Sequence, residues 1–246
     1  MKKILGITRL LGFAAIISAY LIPITLGVVF FKRDLMWTLR RRQGIARALM
    51  RLLNIKIHAS GVPQDGAFLF VGNHRSYADP AVAACYVAFM PVAKAEVSKW
   101  PLVGWGAKIT GVVYVKRADK GSRADTRTAV RNALREKKPV LIYPEGTTTD
   151  AAKTRPFRVG TFQIAAEEGT PVVPITIEYG LPTDAWINAD TFIPHFIRCF
   201  GKWQTEASLH FGEPIVETDP TLLMEKTQSA IDTQLLVFQS LRMKKD

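Results

Sequence analysis

His74 and Asp79 are the residues of this chain best placed for proton transfer. They stand five positions apart in Val71-Gly-Asn-His-Arg-Ser-Tyr-Ala-Asp79-Pro80. The apolar run Ala67 to Val71 reads as a buried strand, and Pro80 suits the first turn of a helix. Positions five apart are rotated roughly 140° on a regular helix, so the pair can meet only across a turn. One reading makes His74 a general base whose tautomer Asp79 holds. The other is a solvated loop histidine beside an aspartate helix cap. Ser76 invites a serine nucleophile, but a hydroxyl in such a stretch commonly bonds within its own turn. No Gly-x-Ser-x-Gly elbow occurs in the chain.

The elements that must carry this turn alternate. Ile55–Ala59 reads as an edge strand, Pro80–Phe89 as a helix, and Pro91–Ala95 as a short apolar run. Next come a helix at Pro101–Thr110, a strand at Gly111–Val115, a helix at Ala124–Lys138 and a strand at Pro139–Tyr143. Thr161–Glu168 has helical spacing with Gly169 behind it as a cap, and Val172–Glu178 reads as a strand. Leu181–Gly201 is irregular in pattern, Thr205–Phe211 alternates as a strand, and Leu222–Met243 closes as a helix. This order predicts an α/β domain: a central, mostly parallel sheet flanked by helices, with ligands beyond the strand ends.

Composition narrows the partners. The 246 residues carry 33 basic and 21 acidic side chains, a net charge of +12, which fits an anionic partner. Leu10–Phe31 is a run of 22 residues without a charge, long enough to cross a bilayer as a helix. Pro23 lies within it and is expected to kink or break it, leaving a membrane helix or a helical hairpin. A buried core helix is the bland reading of the same run. Arg40, Arg41, Arg42, Arg47 and Arg51 follow, on residues 34–53 with amphipathic spacing. They suit an anionic membrane surface and place the folded part on the cytoplasmic side of an inner membrane. The simplest division is an anchor at 1–53 and a catalytic domain at 54–246. A nucleic-acid module would fit the charge, but not the apolar run or the His/Asp turn, and no such motif occurs. A non-catalytic membrane scaffold fits the anchor and the basic face alone. Cys85 and Cys199 have no metal-ligand spacing and read as buried free thiols. His58, His195 and His210 lack comparable neighbours and read as ordinary histidines.

Four strand ends carry a shared signature: Asn73-His74-Arg-Ser-Tyr-Ala-Asp79, Gly111-Val-Val-Tyr-Val-Lys116-Arg117, Tyr143-Pro-Glu145-Gly146-Thr147, and Val172-Val-Pro174-Ile175. In order and spacing they resemble the four blocks of the glycerolipid acyltransferase family, typified by 1-acylglycerol-3-phosphate acyltransferase. Ala93-Lys94-Ala-Glu96 and Pro156-Phe157-Arg158-Val-Gly160 also fit. The resemblance covers about residues 55–180. It implies transfer of a fatty acyl group from an acyl carrier protein or coenzyme A thioester to a lysolipid hydroxyl, with no metal or redox cofactor. His74 is then the base and Asp79 its partner. Lys94, Lys116 and Arg117 become candidates for the acceptor's phosphate, against the plainer reading of solvated strand ends. Glu145 orients substrate or braces its loop, Gly146 allows close backbone approach to an oxyanion, and Thr147 belongs to the same block. Arg155 and Arg158 are secondary candidates.

One position departs from the family pattern. Lysophosphatidate enzymes often read Glu-Gly-Thr-Arg in the third block, whereas Thr148 stands here, and a threonine cannot neutralise a phosphate monoester. The resemblance implies 1-acylglycerol-3-phosphate as the first acceptor. The Glu145-Gly-Thr-Thr-Thr149 variant, Ile193-Pro-His-Phe-Ile-Arg198 and Phe211-Gly-Glu-Pro214 are similar to lyso-ornithine lipid acyltransferases and make that lipid the alternative.

Overall fold

Residues 2–99, 104–106, 110–115, 120–187 and 190–243 are described in a computed structural model of the chain. They fall into two compact units, each assembled from three chain segments. The first takes Met1–Lys56, Pro80–Thr126 and Asp190–Thr205. The second takes Ile57–Asp79, Arg127–Ala189 and Glu206–Asp246.

The first unit opens with α1, Lys2–Phe31, a 30-residue helix that continues through Pro23 instead of breaking there. A proline removes one backbone donor, and the turns on either side retain theirs. Lys2–Phe31 is long and apolar enough to cross a membrane. The chain reverses over three residues into α2, Leu35–Leu53. Asp34 caps α2, its Oδ1 accepting the Trp37 N–H at 2.7 Å, and Asn54 ends it in the left-handed region at φ 52°. Two glycines seat α2 on α1. A Cβ on Gly12 would lie 2.9 Å from Leu52 Cδ1, and one on Gly27 would lie 2.6 Å from the Trp37 ring. The early residue of α1 meets the end of α2 and the late residue meets its start, so the two helices run antiparallel. Ile4, Leu11, Ile22, Val29, Phe30 and Phe31 stay exposed along α1. Such a stripe on a 30-residue helix is unusual for a surface in contact with water.

The same unit holds the parallel pair β3, Met90–Lys94, and β4, Val113–Val115, in register Val92↔Val113. The segment 181–201, expected to be irregular, contains a helix at Phe192–Phe200. Its buried side chains, His195, Phe196, Cys199 and Phe200, have helical spacing, but the run is short, and Pro194 sits in its first turn, where it is tolerated. This helix packs against α1, with Phe13 5.7 Å from Phe196 between ring centroids. Arg9, buried on α1, closes its C-terminus. The guanidinium donates to the carbonyls of Phe200 at 2.8 Å, Lys202 at 2.6 Å and Trp203 at 3.0 Å. The last carbonyls of a helix need outside donors, and a cation there also meets the negative end of the helix dipole.

The second unit is a sheet in the order β1–β7–β6–β2–β5. Its strands are β1, Ile55–Gly61, which starts at the unit boundary, β2, Leu69–Gly72, β5, Val140–Ile142, β6, Val172–Tyr179, and β7, Thr205–Phe211. β1 is the edge expected from its alternation. β2 pairs in parallel with β5, Val71 opposite Ile142, and with β6, Gly72 opposite Ile175. β6 pairs antiparallel with β7. Leu69, Phe70, Val71, Val140, Leu141, Val172 and Val173 are all buried, as strands covered on both faces require. Numbered with α3 at Asp79–Ala84 and α4 at Lys120–Arg135, the flanking helices are α5, Gly160–Glu167, and α7, Pro220–Met243, with Phe192–Phe200 as α6. α7 packs on β6 and on α5, burying Phe162, Ile164, Leu223, Ile231 and Leu235. α3 stops at Ala84, short of the expected Phe89. Because β2, β5 and β6 are mutually parallel through β2, their C-terminal ends share one edge, and that edge carries the His74 turn.

Arg9→Ala removes three donors from buried or half-buried carbonyls. Each such bond to a charged donor is worth about 1.5–3 kcal/mol. Thermal unfolding of the detergent-solubilised protein should show a Tm lower by several degrees.

Candidate active site

Asn73 fixes the turn on the sheet before any reactive group appears. Its side chain is buried, accepts the Ile177 N–H at 2.8 Å and donates to the Ile177 carbonyl at 2.9 Å. The amide therefore imitates one more residue of strand and extends the β2–β6 ladder past Gly72. The chain can then turn without leaving β6 unpaired.

His74 and Asp79 meet across this turn, as their types and spacing suggested. His74 Nδ1 lies 2.8 Å from Asp79 Oδ2. The carboxylate oxygen is an acceptor, so Nδ1 carries a proton, and in the neutral ring Nε2 is the nitrogen with the lone pair. The imidazole side chain is 18% exposed and the carboxylate 1%. The pair therefore hides the carboxylate charge while part of the imidazole stays exposed. Asp79 Oδ2 also accepts the N–H groups of Arg75 at 2.7 Å and Ser76 at 2.9 Å. Its Oδ1 accepts the Tyr179 hydroxyl at 2.9 Å. Four donors thus converge on one buried carboxylate, the condition under which such a charge is tolerated.

Tyr143, at the end of β5, stacks on the imidazole with centroids 4.2 Å apart and planes 15° from parallel. Gly72 makes room for it, since a Cβ there would lie 2.9 Å from Tyr143 Cε1. Burial, then the Asp79 charge, holds the Tyr143 and Tyr179 phenols well above the usual tyrosine range. Both therefore act as neutral groups.

Glu145 is buried and joined to backbone at both oxygens. Oε1 accepts the His74 N–H at 2.8 Å and Oε2 accepts the Arg155 N–H at 2.8 Å. Of the two readings left open by its type, the brace is the one observed. Burial raises its pKa, against the lowering effect of those two backbone donors. Gly146 takes φ +75°, and its N–H donates to the Tyr143 carbonyl at 3.1 Å, closing the turn. Its own N–H is therefore occupied within the turn. The next amides, those of Thr147 and Thr148, make no hydrogen bond among the described residues. The Thr148 hydroxyl donates to the Trp186 carbonyl, and the Trp186 N–H donates to the Arg75 carbonyl at 2.8 Å. Trp186 is thereby tied to both functional loops, with its ring edge-on to Tyr77 at 5.1 Å.

Ser76 is buried within the turn, where its Oγ accepts the Ala78 N–H at 3.3 Å. The nucleophile reading has no geometric support. Arg75, which the sequence reading passed over, is fully enclosed and donates to the Thr149 carbonyl at 2.8 Å and to Glu178 Oε2 at 3.0 Å. Tyr179 was also missed. Its signal was the period of two that puts it on the same face as Ile175 and Ile177, at the open end of a buried strand. The Arg158 guanidinium is exposed beside Gly146, 3.5 Å from where a Cβ would stand. Lys94 lies in β3 of the first unit, but its side chain, together with all of Lys116 and Arg117, lies outside the described residues.

Comparison with known proteins bears on the family and the fold. The profile of the family described as Acyltransferase aligns with residues 54–178, just over half of the 246-residue chain. A lyso-ornithine lipid O-acyltransferase of Brucella abortus is 27% identical over 227 residues, covering 85% of each chain. One from Pseudomonas aeruginosa is 30% identical over 191 residues, covering 74% of this chain and 73% of its own. A 1-acyl-sn-glycerol-3-phosphate acyltransferase of Chlamydomonas reinhardtii is 34% identical over 116 residues, 47% of this chain and 35% of its own. The fold is similar to the crystal structure of the 1-acyl-sn-glycerophosphate acyltransferase PlsC of Thermotoga maritima. The TM-score is 0.64 at 19% identity, over 94% of this chain and 98% of the other. The buried His/Asp pair at the strand edge and the family profile that spans it lead to one assignment: this chain belongs to the acyltransferase family.

Proposed function

We propose that the chain transfers a fatty acyl group from an acyl thioester to the hydroxyl of a lysolipid, with lyso-ornithine lipid as acceptor. The observation that carries the transfer is the His74–Asp79 contact with Nε2 left open. Nε2 takes the proton of the acceptor hydroxyl as its oxygen attacks the thioester carbonyl. The Thr147 and Thr148 amides, without a hydrogen bond among the described residues, are the donors offered to the resulting oxyanion. Collapse of the tetrahedral species expels the thiolate, which recovers the proton from the imidazolium. Every step balances with side chains and substrates alone, so the reading calls for no cofactor. Coenzyme A and acyl carrier protein thioesters serve it equally as donors. Lys94, Lys116 and Arg117 stay proposed as acceptor contacts.

Thr148 supports the choice of acceptor. Where lysophosphatidate enzymes often carry an arginine, this chain has a hydroxyl already engaged by the Trp186 carbonyl. The relatives from Brucella abortus and Pseudomonas aeruginosa, which span most of the chain, carry the lyso-ornithine name. Arg158 favours the second reading, 1-acyl-sn-glycerol-3-phosphate, because its cation beside Gly146 can meet a phosphate. Residues 1–53 serve in this proposal as the membrane anchor, with 54–246 as the catalytic part on the cytoplasmic side. In this reading α1 faces lipid and the exposed arginines of α2, Arg40, Arg41, Arg47 and Arg51, face anionic headgroups, whereas Arg42 is half-buried over the Phe89 ring.

His74→Ala and Asp79→Asn should each lower acyl transfer by about 10² to 10⁴ while the Tm holds within a few degrees. Near-normal turnover in both purified variants sinks the mechanism and favours a scaffold. Offered a panel of lysolipids with one acyl donor and read by product mass, the wild type should prefer lyso-ornithine lipid. Thr148→Arg should shift the ratio toward 1-acyl-sn-glycerol-3-phosphate by roughly tenfold, the effect of about 1.4 kcal/mol. An unchanged ranking removes Thr148 from the headgroup argument.

A further inference from the structure

Asp79 has two oxygens, and the turn that carries it supplies donors to only one. Oδ2 receives His74 Nδ1 and the Arg75 and Ser76 amides. The only bond to Oδ1 among the described residues comes from the Tyr179 hydroxyl, from a different strand and 100 residues further along the chain. Tyr179 reaches it because Asn73 locks Ile177 to the turn, and the period of two brings the next side chain on that face over Asp79. Both partners are buried, so water does not replace this bond when it is lost.

We infer that Tyr179 is a positioning residue of the acyl transfer, a third member that orients the Asp79 carboxylate and sets how strongly it holds the His74 proton. The inference rests on the reading of His74 as the base. A phenol donating to Oδ1 draws carboxylate charge away from Oδ2 and so moderates the attraction for an imidazolium at Nδ1. It also fixes rotation of the carboxyl group, which otherwise hangs on one oxygen. Burial and the adjacent negative charge keep the Tyr179 proton in place, so the donor is permanent through the working pH range.

The charged and titratable groups round the pair come from several elements. His74 and Arg75 stand on the turn after β2, Tyr143 and Glu145 at the end of β5, Glu178 on β6 and Asp184 on the following 3-10 turn. Arg75 is matched to Glu178, and Glu145 is held by two amides. Tyr179 is thus the neighbour that can be edited at Asp79 by removing one atom, without touching a charge or the backbone.

The test measures kcat/KM for the acceptor against pH in the full-length protein, with a saturating acyl thioester. Wild type, Tyr179→Phe, Tyr143→Phe and His74→Ala are compared. Tyr179→Phe should move the acid limb to higher pH, lower kcat about tenfold near neutrality, and leave KM for the acceptor within about twofold. Tyr143→Phe keeps the stacked ring and should reproduce the wild-type limb. Site-specific 3,5-difluorotyrosine at 179, a stronger donor of nearly the same shape, should move the limb to lower pH. It also decides the matter if Tyr179→Phe does not fold. A uniform loss of activity with the limb unmoved in both Tyr179 variants overturns the inference and leaves only a structural role. Substantial turnover by His74→Ala overturns the underlying reading instead, so the two failures are distinct.

Discussion

A carboxylate with 1% of its side chain exposed costs several kcal/mol to bury unless donors surround it, and Asp79 is in that position. Four donors meet it: an imidazole, two amides and a phenol. Much of the second unit can be understood from this requirement. The turn must curl tightly enough to aim two consecutive N–H groups inward. β6 must stand in register with β2 so that Tyr179 arrives from the other side. The imidazole, which shares the carboxylate, is then fixed in tautomer and direction without any contact to its Nε2.

The loops around the pair hold one another through backbone groups rather than through side-chain pairs. Glu145 takes amides from the His74 and Arg155 segments, Arg75 reaches the Thr149 carbonyl, and the Thr149 N–H donates to the His74 carbonyl at 3.0 Å. Trp186 is pinned from the Thr148 and Arg75 sides. Polar residues that look like substrate ligands in a motif are in this way largely occupied by the fold. Among the described residues, what carries no hydrogen bond at this edge is His74 Nε2, the Thr147 and Thr148 amides and the Arg158 guanidinium. That short inventory suits a reaction needing a base, an oxyanion site and one charge contact.

The first unit follows a different rule. Its long helix is apolar and is covered on one side by α2 and Phe192–Phe200, with glycines where the backbones come closest and Arg9 as its buried cation. Small residues at helix contacts and one buried charge with three carbonyl partners allow tight packing where apolar burial alone discriminates poorly. The exposed apolar stripe remains outside these contacts.

Alternation of apolar runs with helical spacing was enough to predict the α/β class, and six of the seven strands among the described residues fall close to their expected places. The His/Asp pair was legible too, because its chemistry lies within six consecutive residues and the turn that closes it is local. Other features were not legible. The helix at Phe192–Phe200 is a short, nine-residue period inside a longer irregular stretch, and α1 passes through Pro23 because neighbouring turns keep their own bonds. The sequence by itself determined which residues can transfer a proton and which strand ends carry them, since residue type and local period are one-dimensional. Only the tertiary structure decided that Glu145 is a brace, that the Gly146 amide is occupied, that Thr148 ties Trp186 and that Tyr179 completes Asp79. The Gly146 turn closes locally on Tyr143, but each of the other roles depends on a partner elsewhere in the chain, and pairing across a sheet depends on register, which no local pattern encodes.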